Sequence, residues 1–183
     1  MKIQIDDKEF ELLLSYEQIK KRIRFIGIQL NVDYENLVPV FIGVLNGSFI
    51  FLADLMKEIE ISSEVTFVKL SSYKGDKSSG TITPELALTM DLKDRDIIIV
   101  EDIVDTGLTL EYLLELVKKQ GPASINVCTL LLKPNSIQKE LVDIKYAGFE
   151  IPDDFVVGYG LDYKGLGRNL KDIFRAVHIP SET

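Results

Sequence analysis

The sequence predicts an α/β domain whose central sheet is mostly parallel and flanked by helices on both faces. Three observations predict it. The runs 39–45, 97–100 and 125–132 are continuously apolar and rich in β-branched residues, as strands buried on both faces are. Segments with helical spacing stand between them. Polar turns follow at 45–48, 101–109 and 133–135, the position where open parallel sheets bind ligands.

The elements follow in order. Ser15 opens a helix over 15–30, with Glu17 and Gln18 in its first turn and Ile19, Ile23, Ile26 and Leu30 at helical spacing. The strand at 39–45 enters a tight turn at Asn46-Gly47-Ser48, and helical spacing resumes over 49–59. A strand at 65–70 leads into 71–84, which is almost devoid of apolar residues and reads as a long surface loop, of the kind that is often a lid or disordered. A returning strand at 85–90 would make that loop the tip of an irregular hairpin. The strand at 97–100 precedes a helix at 108–119 that Gly121-Pro122 closes. Further strands are expected at 125–132, 144–147 and 155–158. No repeat, low-complexity tract or linker divides the chain, so one domain spanning 1–183 is expected.

Composition narrows the function. Apolar residues are 46% of 183, enough to bury a core. Asp plus Glu number 29 against 21 Lys plus Arg, a net charge of −8. That balance argues against a nucleic-acid partner, because such binding neutralises phosphates with Lys and Arg, yet it leaves room for a small anion. The single cysteine, Cys128, excludes an internal disulfide and reads as a buried thiol in a reducing compartment. The start, Met1-Lys2-Ile3-Gln4-Ile5-Asp6-Asp7, lacks a signal peptide's apolar stretch. No apolar run is long enough to cross a bilayer, so a cytoplasmic protein with no membrane partner is expected. With one histidine, His178, no Cys/His metal-ligand spacing exists.

The chemistry concentrates in 97–109, where Ile97-Ile98-Ile99-Val100 runs into Glu101-Asp102-Ile103-Val104-Asp105-Thr106-Gly107-Leu108-Thr109. This reads as a strand, a turn with three carboxylates, and a helix start. Thr106, Gly107 and Thr109 would place backbone N–H groups and hydroxyls at a helix N-terminus, an anion site. Glu101 and Asp102 only accept hydrogen bonds, which suits ribose hydroxyls or a hard cation such as Mg²⁺. A solvated turn with Asp105 as a helix N-cap would explain Asp105 alone. It does not explain paired carboxylates directly after an apolar strand, a costly burial without a cation or donors. Asp105-Thr106-Gly107 also matches the Asp-Thr-Gly of aspartic proteases, but that chemistry needs two such carboxylates and the chain has one copy, followed by a helix.

The run 97–109 resembles the phosphoribosyl-pyrophosphate signature of type I phosphoribosyltransferases. Gly148-Phe149-Glu150-Ile151-Pro152-Asp153 and Val157-Gly158-Tyr159-Gly160-Leu161-Asp162-Tyr163 resemble its hypoxanthine-guanine branch. Val44-Leu45-Asn46-Gly47-Ser48-Phe49-Ile50-Phe51 is similar to the family's pyrophosphate loop, and Ser71-Ser72-Tyr73 to its mobile catalytic loop. The matches keep family order from about residue 40 to 170.

The resemblance implies a core over about 37–160, a small hood built from about 1–36 and 161–183, and a mobile loop at about 71–85. It implies transfer of the phosphoribosyl group from 5-phosphoribosyl-1-pyrophosphate (PRPP) to hypoxanthine or guanine, with Mg²⁺ as cofactor and a homodimer or homotetramer as the assembly. Glu101 and Asp102 would hold the ribose hydroxyls and metal. Asp105, Thr106, Gly107, Leu108 and Thr109 would hold the 5′-phosphate, with Asp105 also the general base facing purine N7. Lys133 would donate to purine O6, where the residues alone read a surface lysine beside Pro134. Phe155 would stack on the base, where a core phenylalanine is the alternative, and Val156 would read the base edge through its backbone. Asp162 would contact the purine and hold a second Mg²⁺ on the pyrophosphate side. Leu45, Asn46, Gly47 and Arg168 would bind pyrophosphate, with a cis peptide at Leu45–Asn46, and Ser72 and Tyr73 would close over the reacting centre.

Three positions depart from the family pattern. Asn46 stands where many members carry a basic residue, Asp154 where some carry lysine, and Lys164-Gly165-Leu166-Gly167 is glycine-rich, which would loosen the placement of Arg168. A non-catalytic relative that senses nucleotides and binds RNA or DNA is the second reading. The intact Asp105, the Ser72-Tyr73 pair and the acidic charge favour the enzyme. Lys133 with 148–163 favours a 6-oxopurine over adenine or orotate.

Overall fold

The computed structural model describes residues 1–72, 82–137 and 144–177. In chain order these form β1 (Lys2–Ile5), β2 (Lys8–Leu14), α1 (Tyr16–Asp33), β3 (Val40–Leu45), α2 (Phe49–Met56), β4 (Glu64–Ser72), β5 (Ile82–Leu86), β6 (Asp96–Val104), α3 (Leu108–Lys118), β7 (Ser124–Leu132), β8 (Tyr146–Glu150), β9 (Val156–Val157) and β10 (Ile173–Ala176). A six-stranded sheet has the order β5-β4-β3-β6-β7-β8. All its neighbours are parallel except β5, which returns antiparallel beside β4 as an edge strand.

Alternation along the strands builds a core on each face. On β6, Ile98 and Val100 point to the side covered by α1 and α2, where they join Ile19, Ile23, Phe51 and Leu55. Ile97 and Ile99 point to the α3 side with Leu110, Leu113 and Val117. All four β6 residues are fully buried. Such burial on both faces requires the unbroken apolar runs that mark these strands in the sequence. Helix α1 starts at a capping box, in which the Gln18 side chain accepts the Ser15 N–H at 2.9 Å.

A second, four-stranded antiparallel sheet has the order β1-β2-β10-β9 and joins both ends of the chain. Phe10, Val157 and Phe174 form its core.

The structure moves several expected boundaries. The strand expected at 85–90 lies at Ile82–Leu86, with Pro84 tolerated because the strand is at the edge. That expected at 144–147 lies at Tyr146–Glu150. The strand expected at 155–158 shrinks to Val156–Val157 and belongs to the small sheet, because its partner is β10. The helix expected over 49–59 ends at Met56. Strand β6 continues four residues past Val100, so Glu101 and Asp102 are strand residues rather than turn residues. Of the lid residues, Ser72 is the last of β4; Tyr73 lies outside the described residues, as does His178.

Candidate active site

Strand β3 runs through α2 outward to β4, whereas its neighbour β6 runs through α3 outward to β7 on the other side. The winding reverses between β3 and β6, and a crevice opens beyond their carboxyl ends, as expected at such a switch point. The turn 46–48 after β3 and the turn 105–107 after β6 border it, and Lys133 stands at the end of β7.

Alternation separates the two adjacent carboxylates on β6. Glu101 lines a cavity of about 90 Å³ with Thr106, Gly107 and Thr109. Asp102 faces a wider, open pocket of about 320 Å³ shared with Gly47, Lys133, Phe155, Asp162 and Arg168. Burial, and then the charge of Asp102, holds the Glu101 carboxyl well above the usual carboxylate range. Burial pushes Asp102 up to about 6, against the lowering influence of backbone N–H groups and of Arg168. Both groups therefore resist ionising side by side, and a nearby cation would relieve them.

The phosphate turn is a left-handed glycine followed by a helix. Gly107 has φ of 82° and is the N-cap of α3, and its carbonyl accepts the Glu111 N–H at 2.9 Å. The N-cap is thus Gly107 and not Asp105, which leaves the Asp105 carboxylate free to face the pocket. Leu108 and Thr109 are exposed, so the first N–H groups of α3 stand open to an anion.

Lys133 joins this turn from β7. Its N–H donates to the Val104 carbonyl at 3.0 Å, and its Nζ donates to Asp105 Oδ2 at 2.8 Å. The residue is only 6% exposed, so it is not the surface lysine that the sequence alone suggests. Burying an ammonium needs a partner, and Asp105 is that partner.

Phe155 is 44% exposed and forms part of the pocket wall, so it is not a core phenylalanine. Tyr163 meets its ring edge-on, with centroids 5.7 Å apart at 78°, and Phe10 lies 6.4 Å away. Lys8 Nζ sits 5.5 Å above the same ring. The small sheet thereby fixes the orientation of the pocket's aromatic wall. Val156, next to it, is buried and paired to Arg175 of β10.

On the opposite wall the Leu45–Asn46 peptide is cis, as expected. Asn46 is exposed, and Gly47 packs against β6 and against the 158–163 loop. A Cβ at Gly47 would lie 1.7 Å from Asp102 Oδ2, and one at Gly160 would lie 2.0 Å from the Gly47 carbonyl oxygen. Arg168 pairs with Asp162 Oδ1 at 2.6 Å and donates to the Gly160 carbonyl at 2.7 Å. Asp162 Oδ2 accepts the Gly165 N–H at 2.7 Å. The stretch 164–167, expected to loosen Arg168, instead closes a turn in which Tyr163 and Leu166 exchange hydrogen bonds of 2.9 Å. The other departure, Asp154, lies 3.5 Å from Arg175.

The structure thus brings Gly47, Asp102, Asp105, Lys133, Phe155, Val156, Asp162 and Arg168 to one pocket, with Glu101, Thr106, Gly107 and Thr109 in the adjoining cavity. Sequence reading missed Ile103, which lines both cavities, and Leu161. The strand alternation past Val100 could have found Ile103. Nothing local points to Phe10, Lys8 or Tyr163 as supports of Phe155.

Among the described residues, no group of three or more His, Cys, Asp or Glu side chains is placed to hold a metal by itself. The buried carboxyls of Glu101 and Asp102, both held above the usual carboxylate range, suit a cation of the Mg²⁺ kind, which one or two carboxylates share with substrate oxygens and water. No described helix is long and apolar enough to cross a membrane.

A strand-end carboxylate pair, a glycine-led phosphate turn and a glycine loop facing it across a switch point suit a phosphorylated sugar. The model of the phosphoribosyl transferase domain matches residues 12–164, and the chain belongs to that family. Within the family, its relatives are purine enzymes. It is 46% identical over 168 residues to the hypoxanthine-guanine phosphoribosyltransferase of Lactococcus lactis, covering 90% of each chain. It is 44% identical over 161 residues to that of Bacillus subtilis, covering 87% of this chain and 89% of the relative. Among solved structures, a hypoxanthine phosphoribosyltransferase from Staphylococcus aureus matches with TM-score 0.86 and 39% identity over 91% of both chains. A variant of the Trypanosoma cruzi enzyme, complexed with the product IMP, matches with TM-score 0.86 and 33% identity over 96% of this chain and 93% of that one.

Proposed function

We propose that the chain is a purine-salvage enzyme that transfers the 5-phosphoribosyl group of PRPP to N9 of hypoxanthine or guanine, giving IMP or GMP and pyrophosphate. The observation that carries the 6-oxopurine is Lys133 Nζ held 2.8 Å from Asp105 Oδ2 beside the phosphate turn. An ammonium and a carboxylate so placed match an O6 acceptor and an N7–H donor on one edge of the base.

The roles follow from position. The N–H groups and hydroxyls of 106–109 receive the 5′-phosphate. Phe155 covers the face of the base, and the backbone of Val156 reads its edge. The backbone N–H groups of Leu45, Asn46 and Gly47 and the Arg168 guanidinium, a planar fork suited to that anion, receive pyrophosphate. Bound Mg²⁺ would be held by Glu101 and Asp102 with Asp162 on the far side, and it supplies charge neutralisation for the leaving group. The N9–C1′ bond forms as the C1′–O bond to pyrophosphate breaks, and the N7 proton passes to Asp105. Positive charge gathers on the ribose, and the fixed carboxylates of β6 stabilise it. Ser72 and Tyr73 would close over this centre and exclude water.

The purified chain with hypoxanthine, PRPP and Mg²⁺ is expected to form IMP, with turnover lost on chelation and little reaction with adenine. Absence of turnover with any purine, together with tight nucleotide or RNA binding, would overturn the enzyme in favour of a nucleotide sensor. We also infer a cytoplasmic homodimer or homotetramer. Val65, Phe67 and Phe49 are about 40% exposed, apolar side chains. Light scattering on the assayed sample checks it, and a monomer would reject it.

A further inference from the structure

We propose that the hydrogen bond from Tyr159 to Asp54 is a strut that sets the width of the pyrophosphate half of the site, which makes both side chains positioning residues. The inference rests on the reading of 45–47 and Arg168 as pyrophosphate contacts.

Tyr159 is 1% exposed, and its hydroxyl donates to Asp54 Oδ2 at 2.6 Å. Asp54 lies on α2, the helix that begins immediately after the 46–48 turn. Ser48 ties that turn to the end of β3, because its hydroxyl donates to the Val44 carbonyl at 2.6 Å. Asp54 and the turn therefore move as one body. Tyr159 has a left-handed backbone, φ 52°, and leads directly into Gly160. Gly160 touches the Gly47 carbonyl and exchanges two hydrogen bonds with Arg168, one from its own N–H at 2.9 Å and one from the guanidinium at 2.7 Å.

These contacts close a ring: α2 to Asp54, Asp54 to Tyr159, Tyr159 to Gly160, Gly160 to Gly47, and Gly47 back to α2. Among the described residues, the strut is the ring's one side-chain hydrogen bond joining α2 to the 158–168 segment. Packing of the Tyr159 ring against Tyr16, with centroids 6.3 Å apart, would survive without it. Packing alone tolerates sliding, whereas a short bond to a charged acceptor fixes direction. Lys57, 2.7 Å from Asp54 Oδ1, holds that acceptor in place. The distance between the 45–47 amides and the Arg168 fork then depends on the strut, and a diphosphate must span that distance.

Tyr159→Phe keeps the ring and removes only the hydroxyl. It is expected to raise KM for PRPP by about three- to ten-fold, the scale of one lost hydrogen bond, while KM for hypoxanthine stays within two-fold. Asp54→Asn keeps an oxygen acceptor but loses its charge and is expected to raise that KM by less than Tyr159→Phe does, whereas Asp54→Leu should reproduce Tyr159→Phe. Thermal unfolding of each variant monitors the fold. An unchanged KM for PRPP in Tyr159→Phe, or equal rises in both KM values, would overturn the strut. Arg168→Lys is the reference. If it leaves KM for PRPP unchanged, the pyrophosphate reading fails and the strut with it. If it raises that KM and Tyr159→Phe does not, the strut alone fails.

Discussion

Replacing Asp105 with asparagine is expected to lower kcat by about 10²–10³-fold, within the range that positioned general bases contribute. The change keeps size and keeps an acceptor for Lys133, now 2.8 Å away, so the pocket should hold its shape. The 5′-phosphate rests on the amides that follow, in a turn whose N-cap is Gly107, so KM for PRPP should change by less than about three-fold, a fraction of one hydrogen bond. What is lost is the group that takes the N7 proton. Steady-state kinetics with both substrates check this, and an unchanged kcat rejects the role.

Gly47→Ala is expected to cost about 10²-fold or more in kcat/KM for PRPP, the penalty that misplacement by about 1 Å carries. The new methyl would lie 1.7 Å from Asp102 Oδ2 and 2.3 Å from its Cγ. Two escapes exist. The 46–48 turn can back away, but the Gly47 carbonyl is packed so closely on Gly160 that a Cβ there would lie 2.0 Å from its oxygen. The Asp102 carboxylate can swing out, but it then leaves the ribose and the metal. Either escape dismantles the site, while the fold keeps its cores. Stability should therefore fall by only about 1–3 kcal/mol, as overpacking does. Kinetics and thermal unfolding on one preparation separate the two effects. Wild-type kinetics would contradict the packing of the turn against β6.

The contrast between these positions mirrors what could be read from the sequence. The strands of the large sheet are legible because burial on both faces demands unbroken apolar runs, and the runs at 39–45, 97–100 and 125–132 became β3, β6 and β7. The capping box at Ser15 is legible because both partners lie three residues apart. The small sheet is not, because its strands are short and their partners distant: Arg175 of β10 pairs with Glu11 of β2, 164 residues earlier. Gly148 disguised β8. It sits in mid-strand because a Cβ there would lie 2.3 Å from the Leu130 carbonyl of β7, a close approach that sequence reading takes for a break. Glu101 and Asp102 disguised the end of β6, since charged residues look like a turn unless something beyond the strand's carboxyl end needs them.

The site divides in the same way. The phosphate turn and the carboxylates are legible from chemistry packed into thirteen residues. Lys133 and Phe155 acquire meaning only through resemblance, and the fold then decides between their alternatives by burying the one and exposing the other. Tyr159 and Asp54 carry no local signal, since their contact spans 105 residues.

The most direct test of the account is a crystal structure of the chain with IMP, pyrophosphate and Mg²⁺. The account predicts the 5′-phosphate on the amides of 106–109, the purine against Phe155 with O6 at Lys133 and N7 at Asp105, and pyrophosphate between Gly47 and Arg168. A nucleotide bound elsewhere, or one whose base lies away from Lys133 and Asp105, would contradict it.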